Sequence, residues 1–387
     1  MYRIGEAEVQ RVRRLIESGR IFRYGLGGEC DKFERDWASF VGVEHARMSR
    51  SGTAALYTAL VGLGVGPGDQ VIVPAYTYMA TALAVLGAGA IPVVADVDDS
   101  LTLCPKDVER RLTPHTRAII PVHMVGLPCD MNKLMRLARK HDLLVLEDAC
   151  QAVGGGYRGK RLGSIGHAGA FSFNFFKNIS CGEGGAFVTN SQDVYDRGSV
   201  AVDCCSFYWN PEEERPDLQF AGHNFRASEF EGAILNVQLK RLEGSLNKMR
   251  EHKKMVLEAG AEAGYKSIRN HSLDHECGSH AGFLFKTEEE ARAFADGLQA
   301  QKVSCFLPMD TGRHVYTRWD PIMRYQGAHH PALDPFEIAA NRKCRVKYTD
   351  DMCAASLDVL NRAVLVGMHP NNTKAKVRRI AKAITSV

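Results

Sequence analysis

Between residues 45 and 190, short apolar runs alternate with helical stretches, and nothing else in the 387-residue chain restricts its fold as tightly. Val71-Ile72-Val73-Pro74 and the runs 91–96, 118–122 and 143–147 each read as a strand, and 168–173 and 185–189 as two more. Helices are predicted over 53–63, 77–87, 105–112 and 131–141. Strands that are apolar throughout are buried on both faces, and strands separated by helices must cross over. The α/β pattern therefore predicts a mostly parallel sheet covered on both sides. Ligands of such sheets gather beyond the carboxyl ends of the strands. The loop after Pro74 and the pair Glu147-Asp148 both fall there.

Two helices, 6–20 ending at Gly19 and 31–41 with Phe33, Trp37 and Phe40 at helical spacing, precede this region. A long helical stretch over 227–258, with Phe230, Ile234, Val237 and Leu242 as apolar positions, follows it. Beyond, 281–307 and 335–386 read as a smaller α+β unit. Between those two segments, 310–335 is a loop-rich insert dense in His, Arg and aromatic residues. The predicted division is a large domain over 1–245 and a small C-terminal domain over 246–387, with the insert as a substrate loop.

Composition excludes several classes. A hydrophobic content of 45% and a charged content of 24% are ordinary for a globular protein. The net charge of +4 is mild, and no basic stripe interleaved with aromatics suggests nucleic acid. The N-terminal residues lack an apolar signal core, and no run of 18 apolar residues predicts a membrane span. Eleven cysteines, an odd number without repeated spacing, predict reduced thiols and a cytoplasmic protein. Cys204-Cys205 is the one adjacent pair, and no second Cys or His pair stands at zinc spacing from it, so no metal is expected. Asp96-Val97-Asp98-Asp99 reads as a solvated turn.

The chemistry centres on Lys177, in Phe173-Asn174-Phe175-Phe176-Lys177-Asn178, with Gly182-Glu183-Gly184-Gly185 close behind. A lysine in an apolar run, together with an acid at the end of a buried strand, suits pyridoxal phosphate. The lysine forms the Schiff base, and the acid keeps the pyridinium nitrogen protonated so that the ring acts as an electron sink. Ser51-Gly52-Thr53 opens a helix, where free N–H groups and the dipole favour a phosphate, although an ordinary N-cap reads the same way. Tyr76 and Tyr78 stand at a strand end, where a ring could stack on the cofactor or simply pack. Gln151 falls one turn beyond Asp148, and Ser172 lies in the lysine's own segment. The glycine run lacks the strand–turn–helix setting of a dinucleotide fingerprint.

Taken in order, Ser51-Gly52-Thr53, Gly64-Val65-Gly66-Pro67-Gly68-Asp69, Ile119-Ile120-Pro121-Val122-His123, Glu147-Asp148-Ala149-Cys150-Gln151-Ala152, Phe171-Ser172-Phe173 with Lys177, and Gly222-His223-Asn224-Phe225-Arg226 resemble the DegT-like family of pyridoxal phosphate-dependent sugar aminotransferases. The resemblance spans roughly residues 20–245. It implies the fold type I of aspartate aminotransferases and a homodimer with active sites at the interface. It further implies Lys177 as the catalytic Schiff-base lysine, Asp148 as the pyridinium partner, Gln151 beside the cofactor ring and Tyr78 stacked on it. Gly52, Thr53 and Ser172 become phosphate contacts, joined by Asn224 from the partner subunit. Relatives with histidine in place of the lysine are dehydratases, so Lys177 favours transamination, with L-glutamate as the expected donor and a ketosugar as acceptor.

The insert, and Val366-Gly367-Met368-His369-Pro370 where relatives have a Leu-Pro segment, depart from the common pattern. The insert is similar to that of a subgroup acting on 8-keto-3-deoxy-octulosonate in lipopolysaccharide synthesis, giving the 8-amino-3,8-dideoxy sugar. A carboxylate-bearing sugar needs a cation, and Arg313 or Arg318 could clamp it; His314 and His329 are the other candidate substrate residues. The alternatives are a nucleotide-linked ketosugar or cyclitol aminotransferase, a sugar dehydratase and a non-enzymatic ligand sensor.

Overall fold

Seven strands form the central sheet of the structure, a computed structural model that describes residues 4–24, 28–204 and 215–387. In chain order they are β1 (His45–Ser49), β2 (Gln70–Pro74), β3 (Ile91–Ala95), β4 (Thr116–Ile119), β5 (Leu144–Asp148), β8 (Ala168–Ser172) and β9 (Gly185–Thr189), with the small hairpin β6 (Gly156–Tyr157) and β7 (Lys160–Arg161) standing apart. The spatial order is β1-β9-β8-β5-β4-β2-β3. Pairings from β3 through β8 are parallel, while β9 runs antiparallel to both β8 and β1. The expected mostly parallel mixed sheet is therefore present, and β2 and β3 are buried along their whole length.

Helices α1 (Glu6–Ser18), α2 (Glu29–Val41), α3 (Gly52–Gly62), α4 (Ala80–Gly87), α5 (Pro105–Arg110), α6 (Met131–Lys140) and α7 (Gln192–Val202) surround the sheet. Gly19 and Gly42 take left-handed φ values of 66° and 82° and close α1 and α2, as glycine does where a helix must stop. The expected helix over 77–87 starts only at Ala80. Thr77 and Met79 give their N–H groups to the carbonyls of His314 and Arg313, at 2.9 and 3.1 Å, so the segment is bound to the insert before the helix begins. Buried Trp37 of α2 meets Phe171 and Phe173 edge-on, with ring centroids 4.9 and 5.4 Å apart. Such pairs contribute about 0.5–1.5 kcal/mol each beyond area burial. They hold the end of β8 from which the Lys177 loop leaves.

The long helix α8 (Glu229–Glu262) has 34 residues and so spans about 50 Å. Ser228 and Glu231 form a capping box at its start. Its first half packs against α1 and α2 and its second half against the C-terminal unit. That unit consists of β10 (His280–Leu284), α9 (Glu288–Ala300), β11 (Cys305–Phe306), α11 (Ala354–Asn361), β12 (Ala363–Gly367) and α12 (Lys374–Thr385), with a three-stranded antiparallel sheet ordered β10-β12-β11. Its own core joins Val256, Phe283, Phe294 and Ile380.

The insert is built of 3-10 turns and the four-residue helix α10 (Asp320–Met323). Although it lies within the C-terminal unit in sequence, it packs on the large sheet's core. Its Trp319 and Ile322, with Phe336 and Tyr348 just beyond it, join Val71, Val73 and Val85 in one apolar cluster. The Tyr348 hydroxyl donates to the Pro92 carbonyl at 2.6 Å. Among the described residues, no helix is long and apolar enough to cross a membrane. Cys205 lies outside the described residues.

Lys253 of α8 and Glu276, both almost inaccessible (2% and 1% exposed), form an ion pair at the seam between the units. Burial raises the Glu276 carboxyl pKa, with Lys253 opposing. Removing one partner of such a pair strands a buried charge, at a cost of about 3–5 kcal/mol. Lys253→Met should therefore lower the unfolding midpoint markedly, and the double change Lys253→Met with Glu276→Leu should recover most of the loss in the same denaturant titration.

Candidate active site

The carboxyl ends of β2, β5 and β8 and the start of α3 open on one cavity of about 990 Å³. Of the residues singled out from sequence, Gly52, Thr53, Tyr78, Asp148, Gln151, Ser172, Lys177 and His314 line it. Residues Arg313, Arg318 and His329 are exposed on the insert and do not line it. Of the insert's side chains, Thr311 and His314 line the cavity, while Arg313 contributes its carbonyl, which accepts from the Trp319 indole at 2.9 Å. An arginine clamp at the cavity is therefore not formed within the protomer. Asn224 is also exposed and outside this cavity, on a segment bridged to Asp203.

The two acids at the end of β5 point to opposite sides, because strand side chains alternate. Asp148 faces the cavity. Its Oδ2 accepts from the Thr81 hydroxyl at 2.8 Å and its Oδ1 from the Cys150 N–H at 3.0 Å. Thr81 in turn lies 2.8 Å from the Thr77 hydroxyl. All three side chains are buried, with Asp148 only 4% exposed. Glu147 faces the core, so the pairing of an acid with Lys177 rests on Asp148 alone.

The Lys177 loop is pinned at both ends. The Lys177 N–H donates to the Asn174 carbonyl at 3.1 Å. Buried Gln238 of α8 bonds both backbone groups of Ser180, at 2.9 and 2.6 Å. Burial holds the Lys177 amine below the ordinary lysine value, opposed in part by the charge of Asp148. Burial likewise pushes the Cys150 thiol well up, Asp148 adding to it, so this cysteine is a neutral neighbour. His314 is held down by burial, and the Lys177 charge acts in the same direction. Its ring lies tilted against Tyr78, centroids 5.4 Å apart.

At the phosphate end, Ser51 caps α3 by accepting from the Ala54 N–H at 3.1 Å. Gly52 sits at the first helical position, where a Cβ would come 2.8 Å from the Ser172 Cβ and 2.9 Å from the Cys150 Sγ. Helix start and strand end can converge there only because residue 52 has no side chain. Thr77, Thr81, Gln238 and His280 of β10 were not anticipated from sequence. Thr77 and Thr81 stand four apart, a spacing that could have flagged a shared face, whereas the place of Gln238 depends on tertiary packing.

These residues fit pyridoxal phosphate: a desolvated amine, a buried carboxylate held by two donors, and a helix start crowded against a serine. The fold and the site together define the class as fold type I, the aspartate aminotransferase-like enzymes. Residues 2–320 match the DegT/DnrJ/EryC1/StrS aminotransferase family, and the chain belongs to that family.

A dTDP-3-amino-3,4,6-trideoxy-alpha-D-glucose transaminase of Streptomyces venezuelae is 42% identical over 234 residues, covering 60% of this chain and 59% of the relative. GDP-perosamine synthase of Caulobacter vibrioides is 42% identical over 220 residues, 56% of this chain and 57% of that protein. The chain thus spans a little under two thirds of the length of these curated relatives. Similarity of structure runs end to end. An aminotransferase from Psychrobacter cryohalolentis superposes with a TM-score of 0.84 at 25% identity, covering 100% of this chain and 98% of that one. For 3-amino-5-hydroxybenzoic acid synthase the TM-score is 0.79 at 29% identity, covering 100% and 97%.

The crowding at Gly52 yields a direct expectation. Gly52→Ala should overpack the junction of α3 and β8 at a cost of about 1–3 kcal/mol, and the purified variant should lose pyridoxal phosphate on dialysis that the unaltered protein retains. Melting temperature and cofactor content after dialysis measure the two effects separately.

Proposed function

We propose that the protein is a pyridoxal phosphate-dependent aminotransferase that moves an amino group from L-glutamate to a ketosugar. The observation that carries this reading is the convergence of Lys177 and Asp148 on one cavity, with the start of α3 and Ser172 at its phosphate end. When bound, the cofactor supplies an electron sink that stabilises negative charge at the donor's α-carbon. The Asp148 carboxylate, fixed by Thr81 and Cys150, balances a protonated ring nitrogen. The Ser51-Gly52-Thr53 turn and Ser172 hold the phosphate. Lys177 Nζ is the general base and acid: its lowered pKa gives it a neutral amine fraction able to take the proton from the donor's Cα. Tyr78, at the cavity beside His314, would cover one face of the cofactor ring.

For the acceptor, relatives carry the names of nucleotide-linked amino sugar enzymes, and a nucleotide-linked ketosugar is one class to test. The finer reading is 8-keto-3-deoxy-octulosonate, for which the insert speaks. Lys376, which lines the cavity on the small-domain side, takes the place of Arg313 and Arg318 as the cation for its carboxylate. We further propose a homodimer in which exposed Asn224 reaches the partner subunit's phosphate site. A dehydratase is disfavoured by the lysine at position 177, and a ligand sensor would bind cofactor without turning it over.

The test is the absorbance spectrum of the purified, cofactor-loaded protein before and after L-glutamate, followed by both acceptors. The near-visible band should shift to the pyridoxamine form with glutamate and return with the acceptor. A band that glutamate leaves unchanged would overturn the donor assignment. Lys177→Ala should lose both the band and turnover, at least about a thousandfold in kcat; retained turnover would remove the lysine from its role.

The amine itself can be titrated without turnover. Because burial lowers the Lys177 pKa, the group loses its proton at lower pH than an exposed lysine. In the cofactor-free protein, the 13C resonance of reductively methylated Lys177 should therefore titrate below those of the surface lysines. Titration together with them would contradict the desolvated amine.

A further inference from the structure

Where the two units meet, Val125 holds a left-handed backbone conformation, φ 50° and ψ 28°, which a β-branched residue adopts only under constraint. Three hydrogen bonds supply the constraint. The Val125 N–H donates to Gln151 Oε1 at 3.3 Å. The Val125 carbonyl accepts from Ser279 Oγ at 2.7 Å and from His280 Nδ1 at 3.1 Å. Gly126, with φ 84°, follows so closely on this seam that a Cβ there would come 2.8 Å from the Cys277 Cβ. The turn and the entry to β10 are thus locked together, with the strained carbonyl aimed at the imidazole.

A carbonyl only accepts, so the hydrogen of the His280 ring sits on Nδ1. Burial, opposed only in part by the Val125 carbonyl, holds the ring's pKa down at about 4, and the charge of Lys253 adds to this. The imidazole is therefore neutral in the working range, and Nε2 is a bare acceptor. His280 lines the cavity, with its ring edge-on to Phe306 at 5.8 Å. Among the described residues Nε2 has no hydrogen-bond partner. An acceptor held in one tautomer at a cavity wall calls for a donor from the ligand.

We propose that His280 is a specificity-determining residue for the acceptor, its Nε2 receiving a hydrogen bond from a hydroxyl of the ketosugar. The inference rests on the ketosugar aminotransferase reading above. It also separates the two substrates. The side chain of L-glutamate ends in a carboxylate, itself an acceptor, to which a bare ring nitrogen offers nothing. A sugar hydroxyl is a donor and satisfies it. The strain at Val125 is then tied to selectivity: it fixes the tautomer, and the tautomer fixes which substrate is rewarded.

The experiment uses the holoenzyme and measures the two half-reactions separately by the cofactor's absorbance. The aminated enzyme is offered 8-keto-3-deoxy-octulosonate and a dTDP-linked 4-keto-6-deoxyhexose, and whichever reacts with the unaltered protein is carried forward. His280→Phe, which keeps the ring volume and removes the acceptor, should lower kcat/KM for the sugar about ten- to a hundredfold, mainly through KM. The rate with L-glutamate should stay within about twofold. His280→Gln, which returns an acceptor oxygen, should recover part of the sugar's kcat/KM. An unchanged sugar kcat/KM in His280→Phe would overturn the proposal. So would an equal loss in both half-reactions, which is what a merely structural histidine would give. A wild-type protein that does not react with glutamate at all overturns the donor assignment of the function proposed above, not the role of His280, and is seen before any variant is made.

Discussion

Glu147 has no solvent exposure, yet its carboxylate is held by four donors. Oε2 meets the Gly163 N–H at 2.9 Å and His123 Nε2 at 3.0 Å. Oε1 accepts from the N–H groups of Ile165 and Gly166, at 2.6 and 2.7 Å. His123 Nδ1 accepts from the Cys129 N–H at 3.2 Å, which puts the ring's hydrogen on Nε2, facing Glu147. A buried carboxylate is tolerated only with such partners. By gathering the 163–166 turn, the end of β4's connection and β5 around one charge, Glu147 fixes the strand end from which the next residue, Asp148, points the other way into the cavity. The aim of the cavity's acid is set by an acid that never touches it.

The same arrangement recurs at the other walls. Each group facing the cavity is held by contacts behind it: Asp148 by Thr81 and Thr77, the Lys177 loop by Gln238, and His280 by the Val125 turn. Such backing suits a cavity that must hold a ligand in one geometry, because a side chain locked by packing and hydrogen bonds does not have to be reorganised when the ligand arrives. The cavity is composite. Large-sheet strand ends supply the groups suited to the cofactor, and the C-terminal unit supplies the wall with His280, His369 and Lys376. α8 and the Lys253–Glu276 pair tie the two parts together.

Much of this was legible in the sequence because the signals were local. Apolar runs of four to six residues marked the parallel strands, and the order of short motifs around Ser51, Glu147 and Lys177 marked the strand ends that converge. Other features were hidden for physical reasons. The helix expected from Thr77 begins at Ala80 because the insert, more than 230 residues away in sequence, captures the N–H groups of Thr77 and Met79. Residues Arg313 and Arg318 were natural choices for binding a carboxylate, but the insert turns its main chain and its aromatic residues towards the large sheet and leaves both guanidinium groups on its exposed side. Glu147 and Asp148 look equivalent in sequence, and only strand alternation against a known sheet separates the core acid from the site acid.

The insert also changes how the site's aromatic is held. Tyr76 bridges to Val315, and the Tyr316 N–H donates to the Ala75 carbonyl at 3.0 Å, so the strand end of β2 is continued by the insert and not by the chain's own helix. This contact places His314 beside Tyr78 and leaves the tyrosine ring partly exposed at the cavity. An exposed aromatic at a strand end keeps its position only if its backbone is anchored, since side-chain burial contributes little there. The anchor here is a short antiparallel contact from a segment that belongs by sequence to the C-terminal part. The position of Tyr78 is thereby coupled to the same part of the chain that supplies another wall of the cavity, so a change in the insert is expected to alter how both walls meet a ligand.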